Sequence, residues 1–292
     1  MSAIIIDGKI TAQKVHEDVK RKTAALKTKG VVPCLAVILV GEDPASVSYV
    51  TGKKKALAET GMEDREFRLP ENTPEAEVLS LINSLNSDKG VHGILVQLPL
   101  PRHISEDRII CAIDPSKDVD GFHPVSAGNL VLGKPGFLPG TPAGIICLLR
   151  EWKIPVSGKH VVVLGRSNIV GKPLANLLIR KEQNATVTVC HTGTPDLAYF
   201  TRQADILVAA AGRPGLVTQD MIGEGAAVID VGVNRIPDPS RKKGFRLRGD
   251  TDYDSLLEKA GWITPVPGGV GPMTIAMLMQ NVALAAEGAS NA

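Results

Sequence analysis

The stretch VVVLGRSNIVGKPLANLL, from Val161 to Leu178, combines an apolar strand, a glycine turn and the beginning of a helix. This arrangement directs backbone N–H groups and the positive end of the helix dipole to one point, where a phosphate can bind. The turn reads Gly-Arg-Ser-Asn-Ile-Val-Gly, so Ser167 stands where the dinucleotide fingerprint has its second glycine. Taken alone, the motif is compatible with a phosphate site and equally with a phosphate-free turn.

Apolar runs bounded by turn residues extend the pattern along the chain and predict strands at 34–40, 92–98, 160–164, 186–190, 206–210 and 227–231. They are rich in Val, Ile and Leu without polar alternation, as in parallel strands covered on both faces. The segments between them predict helices at 10–29, 44–60, 74–87, 142–152, 172–181, 253–259 and 273–286. The predicted fold class is therefore α/β.

Length and composition limit the domain count and the partners. A chain of 292 residues accommodates two domains. A net charge of +2 and an aromatic content of 3% disfavour a nucleic-acid partner. The N-terminus has only a short isoleucine run, and the four cysteines show no metal-ligand spacing. We expect a cytoplasmic protein with no membrane partner and no bound metal.

The end of the second nucleotide strand indicates which cofactor binds. In NAD-binding units this strand usually ends in an acidic residue that accepts hydrogen bonds from the ribose. Here it ends in Cys190-His191-Thr192, and Arg166 in the first turn can pair with a 2′-phosphate. The pattern favours NADP over NAD, although an arginine at this position is also compatible with an ordinary surface charge.

A second set of polar residues precedes the nucleotide-binding segment. Tyr49 and Lys53 are four residues apart on a predicted helix and share one face. Gln97 lies at the end of a predicted strand, and Asp118 and Asp120 follow in a tight loop. Strand ends are where open α/β sheets bind ligands. A Tyr-x-x-x-Lys pair is weak evidence by itself, because such pairs also occur on solvated helix faces.

The segment TPVPGGVGPM, from Thr264 to Met273, alternates prolines and glycines too closely for a regular strand or helix. Proline restricts φ, whereas glycine permits positive φ and a close approach of the backbone to a ligand. The segment is compatible with an elaborate turn, but this backbone chemistry favours a loop that serves a site.

Several motifs together resemble the bifunctional methylenetetrahydrofolate dehydrogenase/cyclohydrolase family, called FolD in bacteria. The resemblance spans nearly the whole chain. Its motifs are DPAS at Asp43–Ser46 with YxxxK at Tyr49–Lys53, GILVQLPLP at Gly93–Pro101, KDVDGFHP at Lys117–Pro124, GRSNIVGKP at Gly165–Pro173 and ITPVPGGVGPMT at Ile263–Thr274.

The resemblance implies two domains with a cleft between them. Residues 1–140, joined by the C-terminal helix at 272–292, would form an α/β folate-binding and catalytic domain. Residues 141–271 would form a Rossmann-type NADP-binding domain. The expected enzyme acts on tetrahydrofolate derivatives in one-carbon metabolism and purine biosynthesis, first oxidising the methylene form and then hydrolysing the methenyl product. A homodimer is also expected from the family.

The resemblance also implies roles for individual residues. The catalytic set would be Lys53, Tyr49, Gln97 and Asp120. Gln97 would hold Lys53 and adjust its pKa, Tyr49 would orient the folate and Asp120 would bind the pterin. The further folate contacts would be Pro267, Gly268 and Gly271. The cofactor contacts would be Gly165, Arg166, Ser167, Thr192, Val233 and Thr274. Thr192 departs from the Ser or nearby basic residue of many relatives, which weakens the expected NADP preference.

Two alternatives remain open from the sequence. One is a non-catalytic dinucleotide or folate sensor that keeps the fold without turnover. The other is a dehydrogenase with weak cyclohydrolase activity.

Overall fold

The computed structural model describes residues 2–241 and 244–290. In chain order its helices and strands are β1 (Ile4–Ile5), α1 (Gly8–Thr28), β2 (Cys34–Val40), α2 (Pro44–Thr60), β3 (Glu63–Leu69), α3 (Glu75–Ser87), β4 (Gly93–Val96), α4 (Glu106–Ala112), α5 (Pro124–Leu132), α6 (Gly140–Glu151), β5 (His160–Leu164), α7 (Gly171–Leu178), β6 (Thr186–Cys190), α8 (Leu197–Thr201), β7 (Ile206–Ala209), β8 (Ala227–Asp230), β9 (Asn234–Pro237), β10 (Phe245–Arg248), α9 (Tyr253–Leu256), β11 (Trp262–Ile263) and α10 (Val270–Ser290). The α/β prediction is confirmed.

The chain divides into two compact units, each with its own parallel sheet. The three-stranded unit is built from Gln13–Gly140 and Ile275–Ala292, and contains the sheet β3-β2-β4. The six-stranded unit is built from Met1–Ala12 and Thr141–Thr274, and contains the sheet β6-β5-β7-β8-β11-β1. Residues 1, 291 and 292, which the sequence-based domain assignment includes, lie outside the described residues.

The assignment of the N-terminus to the first domain differs from the structure. The described residues of the N-terminus, 2–12, belong to the six-stranded unit, because β1 pairs with β11 and the Ile6 amide donates to the carbonyl of Ile263 at 2.8 Å. Residues 272–274 at the beginning of the last helix also belong to this unit. A run as short as β1 carries no periodicity that would reveal its partner.

Strand β2 forms the centre of the three-stranded unit and is buried along its whole length. Leu35, Val37 and Leu39 contribute to one core cluster, and Ala36 and Ile38 contribute to another. Side chains alternate between the two faces of a strand. The uninterrupted apolar run therefore reflects two cores, one on each side of the sheet, as the parallel-strand prediction requires.

The neighbouring strand β3 was not predicted because its sequence, EDREFRL, is mostly charged. It pairs in parallel with β2 at one edge of the sheet. Glu66 on β3 binds Lys54 of α2 and Arg68. An edge strand is half solvated, and charged side chains on it protect the unpaired edge. Its polar composition is therefore a consequence of its position in the sheet.

In the six-stranded sheet every pair of neighbouring strands is parallel. After β1, which forms one edge, the chain returns at the central strand β5, adds β6 on one side and then β7 and β8 on the other. This is a doubly wound order in which the direction of winding reverses between β5 and β7. Ligands of such sheets bind at this reversal, beyond the carboxyl ends of the strands.

Two segments combine irregular composition with regular structure: one is rich in Gly and Pro, which is typical of a loop, and the other is basic, which is typical of a solvated hairpin or loop. Helix α5 lies within the Gly- and Pro-rich stretch 114–141. It begins at Pro124 after His123, whose side chain accepts a hydrogen bond from the Val125 amide. The basic stretch 241–248 includes β10, which pairs antiparallel with β9, and residues 242 and 243 of this stretch lie outside the described residues. Among the described residues, no helix is long and apolar enough to cross a membrane.

Candidate active site

Helix α2 carries Tyr49 and Lys53 in the three-stranded unit. Its first turn is capped by Asp43, whose carboxylate accepts the Ser46 amide at 2.8 Å, and Pro44 occupies the first turn. Tyr49 and Lys53 lie about one turn apart on this helix. They differ in environment, because Tyr49 is 44% exposed and Lys53 only 9%. The aromatic ring is therefore accessible, while the ammonium group is largely withdrawn from water.

Gln97 follows β4 and is oriented by three hydrogen bonds. Its backbone amide donates to the Ile38 carbonyl at 2.9 Å, and its side-chain Nε2 donates to the Leu98 carbonyl at 2.8 Å. This leaves Oε1 facing the helix, where it accepts a hydrogen bond from Lys53 Nζ at 2.9 Å. The predicted pairing of Lys53 and Gln97 is therefore present as a direct contact.

Asp120 lies in a loop whose shape Asp118 maintains. The buried Asp118 carboxylate accepts the amides of Phe122 and His123 at 3.2 and 2.9 Å and the Ser126 hydroxyl at 2.6 Å. Gly121 has φ +70°, and a Cβ there would lie 2.9 Å from the Pro139 nitrogen. The positive φ and the close packing both require glycine at this position.

The charges of Lys53 and Asp120 are coupled. Burial lowers the pKa of Lys53, and the nearby Asp120 carboxylate opposes that shift. Burial raises the pKa of Asp120 to about 6, against the attraction of Lys53 and with a contribution from Asp118. Among the described residues, the Asp120 carboxylate has no hydrogen-bond partner. The site thus combines a lysine displaced toward its neutral form with a carboxylate available to a ligand.

In the six-stranded unit, the turn after β5 brings backbone groups into unusually close contact. Gly165 has φ +120°, and a Cβ there would overlap the Ala210 carbonyl oxygen after β7. A Cβ on Gly171, the first residue of α7, would overlap the Gly165 carbonyl oxygen. The two glycines therefore allow the turn, the helix start and the loop after β7 to meet at the winding reversal.

Ser167 closes this turn. Its Oγ accepts the amides of Val170 and Gly171 at 3.2 and 3.4 Å, so its own O–H remains able to donate to another acceptor. Arg166 beside it and Thr192 after β6 are exposed. In the Cys190-His191-Thr192 sequence no acidic residue follows the second strand. These groups are compatible with a phosphorylated dinucleotide, because a hydroxyl and a guanidinium are present where a carboxylate would repel the phosphate.

Two buried aspartates support the loops after β7 and β8 and were missed by the sequence analysis. Asp250 accepts the amides of Ala211 and Gly212 at 2.7 and 2.8 Å. Asp230 accepts the Gly232 amide at 2.9 Å. An aspartate at the end of an apolar run, as in AVIDVG, was the available signal. The network lies next to Val233, which is exposed.

The proline–glycine loop lies in the six-stranded unit, where it contacts the N-terminal segment. The Gly268 carbonyl accepts the Gly8 amide at 2.9 Å. Pro267 and Gly271 are exposed, whereas Gly268 is buried. The Thr274 hydroxyl bonds to that of Thr141 at 2.8 Å. Helix α10 begins at Val270, three residues before the predicted start, so Gly271 lies in its first turn.

Two segments of the chain match two domains of one known protein family. Residues 6–120 match the tetrahydrofolate dehydrogenase/cyclohydrolase catalytic domain, and residues 139–290 match the NAD(P)-binding domain of the same family. A relative named bifunctional protein FolD from Prosthecochloris aestuarii is 56% identical over 283 residues, covering 95% of this chain and 96% of the relative.

Two solved structures are similar over nearly the whole chain. The bifunctional FolD enzyme from Campylobacter jejuni has a TM-score of 0.93 and 49% identity, with 98% of this chain and 99% of that chain covered. The FolD of Trypanosoma brucei, solved with NADP cofactor and inhibitor, has a TM-score of 0.96 and 40% identity, with both chains covered completely. The chain belongs to the tetrahydrofolate dehydrogenase/cyclohydrolase family, with that family's catalytic and NAD(P)-binding domains.

Proposed function

We propose that this protein oxidises 5,10-methylenetetrahydrofolate with NADP and then hydrolyses the 5,10-methenyl product to 10-formyltetrahydrofolate. The observation that carries the proposal is the buried Lys53, which donates to Gln97 at 2.9 Å and has a lowered pKa beside Asp120. This arrangement occurs in the segment that matches the family's catalytic domain.

In the first step the methylene carbon of the substrate loses a hydride, and bound NADP supplies the hydride acceptor. Asp120 holds the pterin, because an ionised carboxylate accepts hydrogen bonds from the amino and ring N–H groups of that heterocycle. Tyr49 forms an exposed aromatic wall that orients the folate. Pro267, Gly268 and Gly271 provide further folate contacts.

In the second step water adds to the methenyl carbon and the bond from that carbon to N5 breaks. A neutral Lys53 amine accepts a proton from the attacking water and returns a proton to N5, and the second proton of the water is released to solvent as the formyl C=O forms. Its lowered pKa increases the fraction of neutral amine at any given pH, which favours this exchange. Gln97 supports the neutral amine, because an amide oxygen orients the nitrogen without contributing a full negative charge.

The residues proposed to hold NADP lie after the carboxyl ends of the parallel strands, except Thr274, which lies in α10. Gly165, Arg166 and Ser167 contact the phosphates, with Thr192 close to the adenosine ribose. Val233 contacts the nicotinamide side, and Thr274 lies near the cofactor. The preference for NADP rests on the missing acidic residue after β6 and on the exposed Arg166. Replacing Arg166 with glutamine is expected to raise KM for NADP and leave KM for NAD unchanged.

The function is tested with purified protein, methylenetetrahydrofolate and either NADP or NAD, followed by absorbance and formyl-product analysis. Turnover with NADP and conversion of methenyl to formyl product support the proposal. Methenyl product that decays only at the uncatalysed rate favours the dehydrogenase with weak hydrolysis. Binding of both cofactors without reduction favours the sensor.

The role of Lys53 is tested by Lys53→Met, which is expected to abolish methenyl hydrolysis while NADP binding persists. Lys55→Met on the same helix is the control, because Lys55 is exposed and pairs only with Glu59 at 3.6 Å among the described residues. Unchanged hydrolysis in Lys53→Met contradicts the assigned role. The homodimer and the cytoplasmic location belong to the same proposal, and sedimentation and cell fractionation measure them.

A further inference from the structure

Asn281 is a buried polar residue in the apolar helix α10. Its side chain is 7% exposed, and the residues next to it on the helix, including Met279 and Val282, belong to a hydrophobic core cluster. The Asn281 side-chain nitrogen donates to the Val119 carbonyl at 2.8 Å and to the Leu138 carbonyl at 2.9 Å. Both hydrogens of the amide are therefore used in long-range contacts.

The two accepting carbonyls flank the loop that carries Asp120. Val119 directly precedes Asp120. The Leu138 carbonyl carbon packs against Gly121, the residue after Asp120, because a Cβ on Gly121 would lie only 3.0 Å from it. One side-chain amide thus connects the two backbone segments that enclose Asp120. Removing this amide would leave a buried and a partly buried carbonyl unpaired, which costs more than the loss of a hydrogen bond that water replaces.

The opposite side of Val119 is held by packing. Val119 is fully buried, and a Cβ on Gly93 of β4 would lie 2.7 Å from its Cγ1. The Val119 side chain therefore occupies the space that Gly93 leaves open. Packing locates this side chain, and the Asp118 carboxylate holds the amides that follow Asp120. The peptide before Asp120 is held by its Val119 carbonyl, which accepts from Asn281.

We propose that Asn281 is a positioning residue for Asp120: its two hydrogen bonds from the C-terminal helix fix the peptide before Asp120 and direct the carboxylate toward the folate. This inference rests on the proposed function, in which Asp120 binds the pterin. Asn281 acts through Val119 and Leu138 and does not contact the substrate.

Two substitutions of nearly equal shape test the proposal. Asn281→Leu removes both donors, and Asn281→Asp replaces them with acceptors facing two carbonyl oxygens. Each is expected to raise KM for methylenetetrahydrofolate about tenfold or more, the equivalent of one to two hydrogen bonds. KM for NADP is expected to stay within about twofold. Asn281→Ser keeps one donor on a shorter side chain and is expected to give an intermediate KM. This variant provides the test if Asn281→Leu and Asn281→Asp do not fold.

The matched control is Val78→Ala on α3, which is fully buried in the other core cluster of the same unit. It lowers thermal stability without touching the Asp120 loop. If Asn281→Leu or Asn281→Ser raises KM for the folate no more than Val78→Ala does, the positioning role is wrong. Asp120→Ala distinguishes the role of Asp120 from the positioning role of Asn281. An unchanged folate KM in Asp120→Ala overturns the proposed role of Asp120 itself. A raised folate KM in Asp120→Ala with a normal folate KM in the Asn281 variants overturns only this inference.

Discussion

Lys53 carries its ammonium group into a site with little water, where a neutral amide oxygen accepts its hydrogen bond. Desolvation disfavours the charged amine, and the Gln97 oxygen does not supply the full charge that would restore it. Burial therefore lowers the pKa of Lys53, and among the described residues the nearby Asp120 carboxylate opposes that shift; in the proposed function, glutamine rather than glutamate at position 97 avoids a second opposing charge. Sequence reasoning identified both residues, but only their burial shows why the partner is uncharged.

Gln97→Glu is expected to raise the pKa of Lys53, because a carboxylate would replace the amide oxygen 2.9 Å from Nζ. Methenyl hydrolysis near neutral pH should then fall at least about tenfold, and its optimum should move to higher pH. The measurement is a pH–rate profile. Gln97→Leu is the control, because it removes the bond without adding charge. An unchanged profile in Gln97→Glu contradicts the proposed tuning.

Asp120 is expected to make folate binding depend on pH. Its pKa is raised to about 6 by burial, with Lys53 opposing and Asp118 reinforcing the shift. The carboxylate is ionised above pH 6, the form that accepts hydrogen bonds from the pterin in the proposed function, so affinity should fall as the pH decreases from 7 to 5. Titrating the dissociation constant for tetrahydrofolate checks this, and Asp120→Asn should remove the pH dependence.

The raised pKa of Asp120 also affects stability, in the opposite direction: ionisation of the carboxylate favours folate binding but lowers the free energy of unfolding. The folded state binds the Asp120 proton more tightly than the unfolded state, so the ionised group costs stability above pH 6. That cost is relieved as the pH falls toward the ordinary value of 3.8. Asp120→Asn should therefore raise the melting temperature at pH 8 while weakening folate binding. A lower melting temperature at pH 8 would contradict the assigned burial cost.

At the scale of elements, the turn between β5 and α7 depends on glycines that no other residue can replace without rearrangement. Gly165→Ala is expected to destabilise the six-stranded unit by about 2 kcal/mol or more, because it combines a positive φ with overlap against the Ala210 carbonyl. NADP binding should be lost or strongly weakened. Isothermal titration with NADP and thermal unfolding measure the two effects.

Gly158→Ala is the matched control for that turn. Gly158 lies in the same unit with φ +73°, but a Cβ there has no atom within 4 Å among the described residues. It is expected to cost only about 1 kcal/mol of backbone strain and to leave NADP binding unchanged. If both variants bind NADP normally, close packing of the turn does not support the cofactor site.

Strands with long apolar runs were readily predicted, whereas strands that are charged or very short were not. Strands β2 and β5 have the predicted bounds, because their buried apolar runs begin and end at turn residues. The charged strand β3 and the short strands β1 and β11 escaped prediction. Pairing with a neighbour stabilises them, and a local pattern contains no information about that neighbour.

At the scale of the whole molecule, the N-terminal segment completes a sheet whose other strands begin more than 150 residues later in the chain. Ile6→Ala should therefore destabilise the six-stranded unit, by about 2–5 kcal/mol for a fully buried isoleucine. Hydrogen exchange should accelerate in residues 141–274 and remain unchanged in 34–132.

Ile82→Ala on α3 provides the reciprocal control, because Ile82 is equally buried in the three-stranded unit. Exchange should then accelerate in 34–132 and remain unchanged in the six-stranded unit. Faster exchange of 34–132 in Ile6→Ala, without a change in 141–274, would contradict the assignment of the N-terminus to the nucleotide-binding unit.

The sequence by itself determined the α/β class, the parallel central strands, the glycine turn at Gly165 and the family, because these depend on local periodicity and on motifs within short segments. Only the tertiary structure decided that residues 2–12 join the six-stranded unit, that Asp250 supports the turn after β7, and that Asn281 binds the carbonyls of Val119 and Leu138. Those features rest on contacts between residues far apart in the chain, where burial and hydrogen-bond geometry, not local pattern, select the partner.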